Sequence, residues 1–252
     1  MNSLRIGIAG ITGRLGTLCA EEVTACGLML AGGLSRRADP GRGIETDPRV
    51  LAARCDVVID VSHAETVAAH AAAFAEAGCG WVLGTTGLDA AGREAVGRAA
   101  ARIPVLQAAN FSPALSVLLR LARELGAALP EYDAEIVETH HRQKVDAPSG
   151  TARAIGEAVA SGRGVALDDV AEIDRNRRRG EGAIGFASLR SGQIVGEHAL
   201  SFTSADEQIV LSHRAFDRRL FARGAVRAAR FLAGRGAGLY GMEDAVRGVA
   251  DS

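Results

Sequence analysis

Through the first hundred residues, short apolar runs alternate with longer segments of helical period, the pattern of a parallel sheet covered by helices. The runs LRIGIAG (4–10), LMLAGGLS (28–35), DVVIDVS (56–62), GWVLGTT (80–86) and IPVLQAAN (103–110) predict five strands. Residues 14–26, 64–77 and 89–102 predict helices between them, the last opened by Asp89 as an N-cap. Five such units in succession predict a Rossmann-like α/β fold. After Pro113 the pattern changes: a helix over 114–128 leads into the extended run YDAEIVETHH (132–141), then a helix near 150–161 and a charged loop at 174–182. Residues 182–215 carry β-compatible runs separated by Ser-Gly and Ser-Ala-Asp-Glu turns with no helix between them, predicting a mixed or antiparallel sheet. A helix over 218–233 and a short tail follow.

At 252 residues the chain is long enough for one large domain or two smaller ones, and its 48% hydrophobic and 23% charged residues are ordinary for a globular protein. A net charge of -1 gives no general attraction to nucleic acid or anionic membrane. The alanine-rich segment 64–79 is interrupted by Glu65, His70 and Glu76, so no membrane span is expected. Cys19, Cys26, Cys55 and Cys79 form no C-x-x-C pair, which argues against a zinc site and a disulfide framework and fits a reducing compartment. The N-terminus reaches RIGIAGITGRLG (5–16) with no room for a secretory leader, and a cytoplasmic location is expected.

In GITGRLG (10–16), Gly10, Gly13 and Gly16 follow a strand and open a helix, where pyrophosphate can rest on unpaired N–H groups; tight helix–strand packing is the other reading. The Asp or Glu that normally binds the ribose 2′-hydroxyl of NAD is replaced by Ser35, Arg36 and Arg37. Ser35 can donate to a 2′-phosphate and Arg36 can pair with it, so NADPH is expected over NADH; a solvated basic turn is the alternative. The loops GTTG (84–87) and AANFS (108–112) follow strand C-termini, where ligands gather in such sheets. Gly84, Thr85 and Thr86 are expected at the cofactor, and Phe111 is expected to pack on the nicotinamide.

The stretch ETHHRQKVDAPSGTA (138–152) crowds two histidines and a lysine ahead of a helix start. Ser149, Gly150 and Thr151 supply N-cap chemistry, and a helix N-terminus beside Lys144 and an imidazolium suits a carboxylate. His140, His141 and Lys144 thus suggest an anionic substrate that receives a proton, with a surface cluster as the other reading. No metal site is expected, since H-H-x-x-K lacks a third ligand at familiar spacing.

The string EIVETHHRQKVDAPSGTA (135–152) resembles the substrate motif of the 4-hydroxy-tetrahydrodipicolinate reductase (dihydrodipicolinate reductase) family of the diaminopimelate and lysine pathway. The resemblance extends to GIAGITGRLG (7–16), GTTG, AANFS, GAIGFASLRSGQIVGEH (182–198) and GAVRAARFLAGRGAGLYGMEDAV (224–246). It implies a dinucleotide-binding domain from 1–111 plus 218–252 and an inserted α+β domain, 112–217, that binds substrate and joins a homotetramer. It also implies hydride transfer to a conjugated cyclic imine of a dicarboxylate, with closure about Ser112 and Arg218. By the same resemblance His140 is a proton donor or acceptor, Lys144 a second donor, His141 a substrate contact, and Gly150 with Thr151 a carboxylate clasp. Gly10, Ile11, Thr12, Gly13, Arg14, Leu15, Arg36, Gly84, Thr85, Thr86, Ala108, Ala109, Asn110 and Phe111 match its nucleotide contacts. Ser35 is a departure, because members that use NADH readily often carry a carboxylate there. Asp146 is expected only to shape the turn, and the basic run RNRRRGEG (175–182) to be a solvated loop. The rival readings are an amino-acid dehydrogenase such as aspartate dehydrogenase and a non-catalytic NADPH-binding protein.

Overall fold

A computed structural model describes residues 3–174 and 176–248. The chain divides into two compact units, one ending at Pro113 and resuming at Arg218, the other spanning Ala114–Asp217. The first begins β1 (Arg5–Ala9), α1 (Arg14–Ala25), β2 (Met29–Leu34), β3 (Ile44–Glu45), α2 (Pro48–Ala52), β4 (Val57–Asp60), α3 (Val67–Ala77), β5 (Gly80–Leu83), α4 (Ala90–Ala100) and β6 (Pro104–Gln107). The second holds α5 (Pro113–Ala128), whose first residue lies at the boundary, then β7 (Asp133–His140), α6 (Gly150–Arg163), α7 (Leu167–Val170), β8 (Ala171–Glu172), β9 (Ile184–Arg190), β10 (Gly196–Thr203) and β11 (Gln208–Ala215). The chain then returns to the first unit with α8 (Arg219–Leu232), β12 (Gly238–Tyr240) and α9 (Met242–Arg247).

In the first unit seven parallel strands run in the order β12-β6-β5-β4-β1-β2-β3. Every residue of β4 and β5 is buried, as expected of strands covered on both faces. Alternation along them sorts the side chains: Val58, Trp81 and Leu83 pack with Leu51, Phe74 and Val96 of α2, α3 and α4, whereas Ile6, Ile8, Val57, Ile59 and Val82 pack with Val23, Val226, Leu232 and Ala245 of α1, α8 and α9. The unit is therefore a Rossmann-like sheet. Asp89 does cap α4, its side chain accepting from Gly92 N at 2.7 Å. The expected helix over 64–77 begins with a single 3-10 turn at Ala64–Thr66.

The second unit is a mixed sheet, β11-β10-β7-β9-β8, with β7, β9 and β8 parallel and β10 antiparallel to both β7 and β11. Leu115, Leu118 and Ala122 of α5 and Ile155 and Val159 of α6 pack on one face, against Ile136, Ile184, Phe186, Leu200 and Phe202. Alternation continues this buried face of β7 from Ala134 and Ile136 to Glu138 and His140. The opposite face leaves Val137, Leu189 and Val210 exposed. No helix among the described residues is long and apolar enough to cross a membrane.

The basic loop is exposed at Arg177 and Arg178, as expected of a solvated run, but not at Arg179. Arg175 lies outside the described residues, but the Arg179 guanidinium is drawn in, paired with Asp133 at 2.9 Å and with Glu135, and it donates to the carbonyls of Ala134 and Ala183. Acidic positions at the start of β7 give it partners that a reading of the loop alone does not see.

Candidate active site

In the first unit the predicted nucleotide residues collect at the C-terminal ends of β1, β2, β5 and β6. The turn after β1 needs glycine: Gly10 has φ +82°, and a side chain on Gly16 would collide with the Gly10 carbonyl. Gly10 and Ile11 donate to Leu34 O at 3.1 and 3.3 Å, fixing the loop against β2. Gly13 is the N-cap of α1 with no side chain on the first N–H groups, and Arg14 and Leu15 open the helix without an acidic residue in its first turn. That end is open to an anion. Thr12 Oγ1 and Ser35 Oγ lie 3.2 Å apart, so the expected phosphate donor Ser35 sits beside the glycine turn. Arg36 is exposed.

After β5, the Thr85 hydroxyl is buried and has no partner among the described residues. A buried hydroxyl left unmatched at a strand C-terminus fits a ligand atom as its partner. Gly84 donates to Asp60 O at 2.8 Å, Thr86 is exposed, Ala108 donates to Leu83 O at 3.0 Å, Ala109 is exposed, and Asn110 Oδ1 accepts from Ser112 N at 2.8 Å. Phe111 departs from expectation. It is 2% exposed, its ring edge fills the space where a Gly84 side chain would stand, and it can offer a nicotinamide no ring face. Apolar burial wins over stacking on a cofactor. The open N-terminus of α1, the unmatched Thr85 hydroxyl and the exposed Arg36 together fit a dinucleotide.

In the second unit the predicted substrate residues converge on one network. His140 closes β7, and its Nδ1 lies 2.5 Å from Glu138 Oε2. Arg190, opposite His140 on β9, donates to both Glu138 oxygens at 3.0 and 2.9 Å. Ser149 N adds a donor to Glu138 Oε1 at 3.3 Å, while the Ser149 side chain caps α6 by accepting from Ala152 N at 3.1 Å. The Ser149 hydroxyl also meets His198 Nε2 on β10 at 3.2 Å, and the rings of His198 and His140 stand edge to face with centroids 5.1 Å apart. A side chain on Gly196 would come within 3.0 Å of His140 Nε2, so the missing Cβ leaves that nitrogen an opening.

Past the strand, His141 is half-buried and its carbonyl accepts from Lys144 N at 3.1 Å, closing the turn that carries the lysine. Lys144 Nζ lies 2.8 Å from both Asp146 oxygens. The structure thus gives Asp146 a direct ion pair where only a turn-shaping part was expected. Gly150 and Thr151 begin α6, with open space in front of Gly150.

Burial pushes the His140 imidazole down and Glu138 pulls it up, while Lys144 and Arg190 lower it; the balance falls below the ordinary histidine value. Burial raises the Glu138 carboxyl, but hydrogen bonds from Arg190, Ser188 and His140 outweigh it and hold the group below the usual range. Burial drives His198 down to about 4, so its ring is neutral near pH 7. The Lys144 hydrogen bond holds Asp146 below the usual carboxylate range.

Profiles described as "Dihydrodipicolinate reductase, N-terminus" and "Dihydrodipicolinate reductase, C-terminus" match residues 4–111 and 114–246. The chain belongs to the dihydrodipicolinate reductase family. Among relatives of this reductase, the 4-hydroxy-tetrahydrodipicolinate reductase of Gluconobacter oxydans is 72% identical over 96% of this chain and 97% of its own length. That of Gluconacetobacter diazotrophicus is 60% identical over 96% of each. A solved structure described as dipicolinate-bound dihydrodipicolinate reductase from Paenisporosarcina sp. TG-14 shares the fold, with TM-score 0.79 and 21% identity over 97% of this chain and 99% of that one. Family membership makes the protein an oxidoreductase. Around His140 of this reductase, Ser149, expected only as a cap, joins Glu138, Arg190 and His198, which the sequence did not single out. Glu138 carried a signal, standing two residues before His140 on the same strand face; Arg190 and His198 enter only through strand pairing.

Proposed function

We propose that this reductase converts 4-hydroxy-tetrahydrodipicolinate to tetrahydrodipicolinate in diaminopimelate and lysine biosynthesis, with NADPH preferred over NADH. The observation that carries the reading, in a member of this family, is the single hydrogen-bonded network that joins His140 to the loop of Lys144 and to the start of α6. A dicarboxylate fits there: the first N–H groups of α6 at Gly150 and Thr151 receive one carboxylate, the Lys144 ammonium pairs with it after releasing Asp146, and His141 contacts the substrate. When bound, the reduced nicotinamide supplies hydride to the conjugated cyclic imine. His140 gives its proton from Nε2 to the charge left behind, and Lys144 is the second donor. Lys144 protonates the departing 4-hydroxyl and recovers a proton from the neighbouring carbon, so that loss of water is proton-neutral, and hydride with the one proton from His140 completes the product.

Gly10 to Leu15, Gly84 to Thr86 and Ala108 to Phe111 hold the cofactor, Phe111 through its backbone. Arg36 makes no hydrogen bond or ion pair among the described residues, which suits a guanidinium waiting for a 2′-phosphate, and Ser35 stands beside it with no carboxylate to repel one. The exposed sheet face of Val137, Leu189 and Val210 supports assembly as a homotetramer, and free cysteines support a cytoplasmic setting. The test is an assay with the upstream synthase generating substrate in place. NADPH consumption is expected. Failure on that substrate together with turnover of aspartate would move the protein to the amino-acid dehydrogenases.

A further inference from the structure

One buried ion pair has no part in the reaction as proposed. Glu138 is 1% exposed and its carboxylate is shared by His140, Arg190 and the Ser149 amide. Stability alone is a weak reason for such a group, since well-packed apolar side chains of similar volume often serve a fold as well as a buried ion pair does. Besides a bond from Nη1 to Leu189 O at 2.7 Å, Arg190 reaches the main chain that bears Lys144: Nε donates to Lys144 O at 3.2 Å and Nη2 to Asp146 O at 2.5 Å. One guanidinium therefore touches both the carboxylate that holds His140 and the carbonyls of Lys144 and Asp146 in the lysine loop.

We infer that Glu138 and Arg190 are positioning residues that set both proton-handling side chains together. Glu138 keeps the Nδ1 proton of His140 turned inward, so that Nε2 faces the opening at Gly196, and Arg190 locks that carboxylate to the loop of Lys144. A carboxylate only accepts, which assigns the donor to Nδ1. The inference rests on the proposed roles of His140 and Lys144. The charged or titratable groups around His140 are Glu138 on its own strand, Arg190 on β9, Lys144 on the loop with its partner Asp146, and His198 on β10. His198 is neutral near pH 7, so its charge does not change there.

The test compares the full-length wild type with Glu138→Gln and Arg190→Lys in two readouts. The first is nitrogen NMR of the histidines without ligand, which reports tautomer and titration independently of any reaction. Wild-type His140 is expected as the Nδ1–H tautomer. In Glu138→Gln its titration moves down, because the carboxylate that favours the charged imidazole is lost. The second is steady-state kinetics across pH on substrate made in place. Both variants are expected to lose at least about 10-fold in kcat, part of the roughly 10²–10⁴-fold that a general acid supplies, with a much smaller change in substrate KM. In Glu138→Gln the limb where activity falls as pH rises moves to lower pH. Unchanged tautomer and titration overturn the inference, as does a loss of activity that only follows a loss of folded protein with the pH profile unmoved. If Glu138→Gln does not fold, Arg190→Lys decides on the same criteria, since it keeps the charge and loses the fork. Should the wild type fail to turn over this substrate while the NMR result holds, the proposed function fails and the positioning unit stands.

Discussion

The hydroxyl of Ser149 stands 3.2 Å from Nε2 of His198, joining the cap of α6 to the middle of the neighbouring sheet. Ser149 Oγ also accepts from Ala152 N, so one hydroxyl serves both the helix cap and the imidazole. Ser149→Ala removes the cap and leaves a buried ring nitrogen unmatched, and a loss of about 1–3 kcal/mol in chemical denaturation is expected. Substrate KM should rise in the same variant, because the first turn of α6 is the proposed carboxylate site.

His198 makes stability depend on pH. Its value is near 4 in the folded chain against 6.5 as the ordinary value, so the unfolded chain takes up a proton that the native ring refuses. The contribution is fully present above about pH 6.5 and is lost as pH falls toward 4, amounting to at most about 3 kcal/mol. Denaturation midpoints measured from pH 7 to pH 4 should fall less steeply in His198→Phe than in the wild type. Parallel curves for the two proteins would show that another group controls the slope.

Removing the proposed acids separates chemistry from binding. His140→Gln and Lys144→Ala should each lower kcat by roughly 10²–10⁴-fold. NADPH binding, followed by fluorescence or calorimetry, should stay unchanged in both. Loss of cofactor binding would show that these residues serve the other unit as well.

The acid form of His140 is expected to vanish at lower pH than for an ordinary histidine, because burial outweighs its carboxylate partner. In kcat/KM for the substrate, which reports the free enzyme, activity should therefore decline through a value below 6.5 as pH rises. A limb above that value would contradict donation from His140.

Cofactor choice rests on Arg36. A charge-assisted hydrogen bond contributes about 1.5–3 kcal/mol, so Arg36→Ala should weaken NADPH about 10- to 100-fold and leave NADH nearly unaffected. Ser35→Asp should add repulsion toward the 2′-phosphate and favour NADH. Equal losses for both cofactors would place Arg36 on the shared part of the nucleotide.

The alternating pattern carried most of the first sheet because β1, β2, β4, β5 and β6 are apolar runs bounded by turn residues. It did not reveal β3, which has two residues, or β12, whose Gly238, Leu239 and Tyr240 hold no usable period and form a strand only through pairing with β6. In β7 the polar Glu138 and His140 occupy the buried face, so hydropathy alone reads the apolar side as ending two residues early. Phe111 was misjudged for a related reason: its neighbours in sequence suggest a ligand loop, while Gly84, remote in sequence, makes the pocket that hides its ring. The partners of His140 lie on three strands and a turn, and no local spacing encodes them.

The first unit is finished late. The returning helix α8 brings Ala222, Ala225, Val226, Ala229 and Leu232 to one of its two cores, and β12 covers the outer edge of β6. A ribosome delivers the whole of Ala114–Asp217 before any of these residues exist, which at ordinary elongation rates takes about 5–20 s. Throughout that interval the nascent sheet has one apolar face covered by α1 alone and one edge without its strand. The enclosed unit is complete in sequence before the enclosing one, and chains that stall before Arg218 leave the nucleotide half as the aggregation-prone product.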